Sequence, residues 1–137
     1  VDLRYIESSA EHIAKVAISD KIIVEKSTLP VRTAEMLKAI FSKSKSGFNF
    51  EVLSNPEFLA EGTAIKDLFK SDRVLIGGDD TKSGRNAVKS LSEIYEKWIP
   101  KNKILKTIES CSFDRLSKNE QIEGFAESVY FKKRLKN

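Results

Sequence analysis

Ser54-Asn55-Pro56-Glu57-Phe58-Leu59-Ala60-Glu61-Gly62-Thr63-Ala64-Ile65-Lys66-Asp67 is the segment around which the rest of the chain can be ordered. An apolar run, Phe50 to Leu53, leads into it and reads as a strand. Asn55 precedes a proline, and such a residue is pushed out of the helical region. The chain therefore turns sharply as it leaves the strand. Asn55 is suited to cap the next segment, and Pro56 to a first helical position. Glu57 and Glu61 stand four residues apart, on one face wherever this piece is helical. Gly62 costs a helix interior about 1 kcal/mol relative to alanine, so an irregular turn is expected around 57–61. A short helix is expected to start near Thr63, with Ile65, Leu68 and Phe69 packing inward. Carboxylates just past the carboxyl end of a strand occupy the place where open α/β sheets keep their ligands.

Working outward, the upstream chain repeats the same grammar. Asp2 is placed to cap a first helix whose apolar face is Leu3, Ile6, Ala10, Ile13 and Ala17. His12 falls beside that face as a partly exposed surface residue. Ile22-Ile23-Val24, within 21–25, reads as a strand buried on both faces. Ser27 and Thr28 lie at its carboxyl end. Pro30 opens a helix over 31–41, with Val31, Ala34, Leu37, Ile40 and Phe41 inward. Downstream, Arg73 to Gly77 is a third strand. Thr81 or Ser83 caps a long helix to Trp98, with Val88, Leu91, Tyr95 and Trp98 inward. Pro100 stops that helix, and Ile104-Leu105 is a short edge strand. Alternating helices and strands imply an α/β fold with a parallel sheet, right-handed crossovers and flanking helices.

Composition narrows the function. The chain of 137 residues supports one domain, and 40% hydrophobic residues, including 8 Phe, support a packed core. No run approaches the ~20 apolar residues of a membrane helix. Val1 begins almost inside a helix, as expected of a piece of a longer protein. A lone cysteine, Cys111, excludes an internal disulfide and a cysteine metal cluster, and fits the cytoplasm. One histidine leaves little for zinc, so no metal is expected. The net charge of +4 is spread along the chain until the basic run Phe131-Lys132-Lys133-Arg134-Leu135-Lys136. Nucleic-acid modules gather such charge on one face, so a nucleic-acid partner is not expected.

The run Ser54 to Lys66, with Asp72-Arg73-Val74-Leu75-Ile76-Gly77-Gly78 after it, closely resembles the UDP-glucose 6-dehydrogenases of animals and plants. Val24-Glu25-Lys26-Ser27-Thr28-Leu29-Pro30-Val31-Arg32 resembles the same family at the expected upstream distance. The resemblance runs from about Asp2 to about Leu105. It implies the second half of a Rossmann-like NAD-binding domain over 1–106, followed by a divergent helical tail over 107–137. It implies NAD as cofactor, UDP-glucose as substrate, a hexamer or dimer as assembly, and a four-electron oxidation to UDP-glucuronate through a cysteine thioester.

By that resemblance Glu57 matches the general acid/base, which needs a pKa near neutrality. Thr28 matches a threonine that positions a catalytic water. Ser27, Thr28 and Leu29 match the cofactor-contacting turn, and Glu61 a residue near the cofactor. Glu57, Phe58, Leu59, Ala60 and Glu61 match the segment that cradles the nucleotide sugar. Lys26 to Arg32 matches a segment that shifts under feedback control in animal forms. Leu116-Ser117-Lys118 echoes the family's Leu-Ser-Lys, which would put Lys118 at the substrate, although the following residues depart from the pattern.

Two family parts are absent from the sequence. No glycine-rich turn is present to seat a pyrophosphate on a helix N-terminus. The nucleophilic cysteine's Gly-Gly-Ser-Cys context does not occur, and Cys111 sits in Glu109-Ser110-Cys111-Ser112-Phe113. The alternative expectation is therefore a truncated, non-catalytic relative that acts by associating with full-length subunits, or has no function of its own.

Overall fold

The computed structural model describes residues 2–27, 29–30, 32–57, 59 and 62–108. Thr28, Val31, Phe58, Ala60, Glu61, Cys111 and Lys118, and the tail helix expected beyond 108, lie outside the described residues. The elements are α1 (Arg4–Val16), β1 (Lys21–Glu25), α2 (Thr33–Ser42), β2 (Phe50–Ser54), α3 (Ala64–Phe69), β3 (Val74–Gly78), α4 (Lys82–Tyr95) and β4 (Ile104–Ile108). A single turn of 3-10 helix, Lys101–Lys103, leads into β4. The four strands form one sheet in the order β1-β2-β3-β4.

Strand β2 joins the two halves of the packing. Successive side chains of a strand point to opposite faces. Leu53 faces α4 and joins Val74, Ile76, Val88, Tyr95, Ile99 and Ile104 in one core. Val52 faces the other way and packs with Ala10 and Ala14 of α1 and Leu37 and Phe41 of α2. Both β2 residues are buried, Leu53 completely. Helices thus cover both faces of the sheet, which is the expected α/β layering. Burying a leucine side chain contributes roughly 1.5–3 kcal/mol, so each face of β2 carries a sizeable share of stability.

The pairing of β1 with β2 is parallel from Lys21↔Phe50 to Glu25↔Ser54, and β3 with β4 is parallel from Val74↔Ile104 to Gly78↔Ile108. The pairing between β2 and β3 departs from the expected all-parallel order: they meet antiparallel at Ser54↔Gly77. A parallel crossover needs a segment laid back across the sheet, usually a helix. At 1.5 Å per residue the six residues of α3 span only about 9 Å. Ile65 and Phe69, expected to pack inward, instead stand 77% and 57% exposed. The short α3 therefore does not serve as a crossover, and the chain enters β3 beside the place where it left β2.

Strand β1 has a neighbour on one side only among the described residues, so Ile22 is 43% exposed rather than buried. On α1 the inward face is Ile6, Ala10 and Ala14, while Ile13 turns outward. Asp2, expected to cap the helix, stands one residue before the N-cap Leu3 and accepts from the Arg4 backbone N–H at 3.1 Å. Its ion pair with the Arg4 guanidinium holds the carboxyl below the usual carboxylate range. Helix α2 starts two residues later than expected, because Arg32 has a left-handed φ of 75°. The Pro30 carbonyl accepts instead from the Thr33 N–H and hydroxyl.

Helix α4 begins as expected. The Thr81 hydroxyl accepts from the Gly84 N–H at 2.9 Å. Thr81→Ala is expected to lower stability by about 1 kcal/mol, read as a lower urea midpoint with unchanged slope. A Cβ on Gly78 would stand 2.6 Å from Val88 Cγ2 and 2.8 Å from Leu53 Cδ2. Only glycine lets α4 settle this closely on the sheet. The helix ends at Tyr95, whose carbonyl accepts from the Trp98 and Ile99 N–H groups.

Candidate functional site

The end of β1, the end of β2 and the start of β3 open into one cleft of about 600 Å³. Its walls include Lys26 just past β1, Asn55, Glu57 and Leu59 from the β2 exit, Arg73 ahead of β3, and Tyr95 from α4. The antiparallel entry into β3 is what brings Arg73 and Val74 to the same end as the exits of β1 and β2.

Past Asn55 the described residues form no regular element until α3, so Pro56, suited to a first helical position, opens no helix among them. Gly62 takes a left-handed φ of 83° in the turn ahead of α3, which a glycine adopts freely. Asn55, expected to cap a helix, does something else. Its side chain turns inward, is 1% exposed, and donates to the Leu75 carbonyl at 2.6 Å. The asparagine thereby adds a side-chain tie between the β2 exit and β3, beside their backbone pairing at Ser54↔Gly77.

Glu57 lies two residues on and reaches the cleft. The Lys26 ammonium stands 3.0 Å from its carboxylate. Glu61, the carboxylate expected beside it, lies outside the described residues. Of the other site residues named from the sequence, Leu59 also lines the cleft. Ser27 is exposed and Leu29 half-buried at the β1 exit, and neither is among the cleft's lining residues.

Two participants are not evident as site residues in the sequence. Lys26 and Tyr95 each reach the Asn55 carbonyl oxygen, the lysine at 2.9 Å and the tyrosine hydroxyl at 2.7 Å. The signals exist all the same. Lys26 is the charged residue that ends an apolar strand, at the edge where ligands bind. Tyr95 reads as core, but a buried tyrosine hydroxyl needs a partner.

The last turn of α3 is closed by distant groups. The Trp98 indole N–H donates to the Leu68 carbonyl at 3.3 Å, and the Ser71 hydroxyl to the Asp67 carbonyl at 2.6 Å. Orphan carbonyls at this helix end are thus satisfied by the segment after α4 and by α3's own C-terminal turn. Asp67, Leu68 and Ser71 line the same cleft as Glu57.

Phosphate seats are a separate matter. A dinucleotide's pyrophosphate rests on a glycine-rich turn between a strand and a helix. The β1–α2 turn, residues 26–32, has no glycine. The β3–α4 turn carries Asp79 and Asp80, paired with Lys38 and Arg85. Those carboxylates would repel a phosphate. The described residues therefore do not form a pyrophosphate seat. Among them, too, no group of three His, Cys, Asp or Glu side chains gathers to hold a metal ion, and no helix is long and apolar enough to cross a membrane.

A layered α/β sheet with a carboxylate and a cleft at its strand exits defines an α/β domain with a candidate ligand site, and comparison with known proteins narrows it. Residues 1–99 match the model of the UDP-glucose/GDP-mannose dehydrogenase family, NAD binding domain. The chain belongs to that family. UDP-glucose 6-dehydrogenase 3 of Arabidopsis thaliana is 55% identical over 119 residues, covering 86% of this chain and 25% of the relative. The UDP-glucose 6-dehydrogenase of Drosophila melanogaster is 59% identical over 107 residues, covering 77% of this chain and 22% of the relative. Among solved structures, a UDP-glucose dehydrogenase from the archaeon Pyrobaculum islandicum aligns with a TM-score of 0.68 and 28% identity. That alignment covers 94% of this chain and 28% of the other. The chain spans about a quarter of the length of the relatives it matches.

Proposed function

We propose that this chain is a segment of a UDP-glucose 6-dehydrogenase, contributing the substrate-side wall of the active site. The observation that carries this is Glu57 at the β2 exit, held by Lys26 at the mouth of a cleft. More than half identity to plant and insect UDP-glucose 6-dehydrogenases supports it. Residues 1–106 form part of the NAD-binding domain, and 107–137 a divergent tail. Glu57 serves as general acid/base for the oxidation of UDP-glucose to UDP-glucuronate. A carboxylate suits that task because it can take a proton from an alcohol or a water within hydrogen-bond reach. Phe58, Leu59, Ala60 and Glu61 cradle the nucleotide sugar, and Lys118 meets it from the tail. Thr28 positions a water. Ser27, Thr28, Leu29 and Glu61 border the cofactor, whose pyrophosphate must be seated by residues beyond those described. The enzyme works in the cytoplasm as a homo-oligomer.

The second proposal is a non-catalytic chain that associates with full-length subunits. It concerns the 137-residue chain taken alone, which contains neither a glycine-rich strand–helix turn nor a Gly-Gly-Ser-Cys motif. On either proposal the purified 137-residue chain is expected to form no NADH from NAD and UDP-glucose. Absorbance of NADH above a no-enzyme control would overturn that expectation. Restoring the matching flanking segments from a full-length relative should then yield turnover if the first proposal holds. An inactive but folded chimera would favour the second.

A further inference from the structure

Three segments far apart in sequence converge on the Lys26 ammonium. It donates to Asn55 Oδ1 at 2.9 Å and to Tyr95 Oη at 2.7 Å, and stands 3.0 Å from Glu57 Oε1. An ammonium has three N–H donors, and two of them are committed to these hydrogen bonds. The Tyr95 hydroxyl donates in turn to Asn55 Oδ1 at 2.7 Å, closing a triangle. Asn55 is itself anchored to the Leu75 carbonyl. The ammonium lies 5.5 Å from the Tyr95 ring centre but 2.7 Å from its hydroxyl, so it sits at the hydroxyl edge and not over the ring face. The contact is a hydrogen bond, with a fixed direction.

Exposure decides which partner governs which. Lys26 and Glu57 side chains are 37% and 36% exposed, and an ion pair that open to water contributes little by itself. Asn55 and Tyr95 are buried, at 1% and 7%. The rigid side of the network is therefore the asparagine and tyrosine, and the carboxylate is the side that is held.

We infer that Tyr95 is a positioning residue: through Lys26 it aims the Glu57 carboxylate into the cleft. This rests on the function proposed above, in taking Glu57 as the acting carboxylate. Tyr95 sits at the last residue of α4, so the packing of that helix on the sheet sets where Glu57 points. Lys26, held by two hydrogen bonds from the buried side, acts as a fixed cation beside the carboxylate.

NMR of the full 137-residue chain tests this through the lysine ammonium signals and the Glu57 carboxyl-carbon signal. One ammonium should be protected from solvent exchange, and Lys26→Met should abolish that signal. Tyr95→Phe keeps the ring and removes the hydroxyl. It should cut the protection by about tenfold, the worth of one hydrogen bond, and move the Glu57 signal toward its position in Lys26→Met. Unchanged protection in Tyr95→Phe overturns the inference, as does a Glu57 signal that is the same in all three proteins. Should Tyr95→Phe fail to fold, Lys26→Met decides, since it keeps the aliphatic stem and an unmoved Glu57 signal overturns the inference. None of these signals depends on turnover. A protected Lys26 in a protein whose full-length form oxidises no UDP-sugar would count against the proposed function and for the positioning role.

Discussion

Glu57→Gln, made in a full-length enzyme carrying this segment, should lower turnover by about 100-fold or more, the scale of a lost general acid/base. Glutamine keeps the shape of the side chain and a hydrogen-bonding oxygen, but it cannot take up a proton. Its amide oxygen can still accept from Lys26, so the network around Asn55 survives and folding should be little changed. The step that suffers most is release of the thioester implied by the family resemblance. There water adds to the acyl carbon, the carbon–sulfur bond breaks, and the proton lost by water needs an acceptor. Without that acceptor, the sugar should accumulate as an adduct on the enzyme's cysteine. Intact-protein mass spectrometry after mixing with UDP-glucose and NAD reads this directly. Substrate affinity should change little, because the backbone of 58–61 is untouched. Normal turnover in the glutamine variant would return Glu57 to an ordinary surface carboxylate. Slow turnover without an adduct would move its role to the earlier oxidation steps.

Asn55→Ala should produce the largest loss of stability of any single side chain at the site, about 3 kcal/mol. Loss of a hydrogen-bond partner by a buried polar group costs up to ~1–3 kcal/mol, and alanine takes one partner from each of three groups. The Leu75 carbonyl loses its donor, and the Tyr95 hydroxyl and the Lys26 ammonium lose their common acceptor. Lys26 is partly exposed and can turn to water, which keeps the sum below the maximum. Urea unfolding of the chain gives the measurement. Asn55→Asp provides the comparison, since it retains the acceptor for Lys26 and Tyr95 and loses only the donor to Leu75. Its loss should be the smaller of the two. Equal losses would mean that the link to Leu75 alone matters, and an unchanged midpoint for Asn55→Ala would show that the network adds nothing to stability.

The two predictions separate parts of the site that differ in how they can be read. Glu57 is legible from local sequence: a strand, an Asn-Pro exit and an acid fall within eight residues. Its role comes from the family resemblance, and the strand exit supplies the physical reason for its location. The Thr81 cap and the apolar faces of α2 and α4 are legible for the same reason. Each depends on residues within one or two turns of one another, where spacing along the chain equals spacing in space.

Lys26, Asn55 and Tyr95 are different, because their partners lie 29, 40 and 69 positions apart along the chain. A lysine after a strand, an asparagine before a proline and a tyrosine on an apolar helix face each have an ordinary local explanation. Nothing local distinguishes a cap from a buried hub. The antiparallel meeting of β2 with β3 is hidden in a similar way, since helix–strand alternation does not reveal whether a six-residue helix crosses the sheet. The layered α/β plan, the strand exits and the acid at their edge are products of short-range pattern and are legible along the chain. Which distant polar groups complete one another is set by packing. Burial creates that demand: once Asn55 and Tyr95 leave water, their hydrogen bonds must be made within the protein, and only the packed sheet and α4 bring the partners into reach.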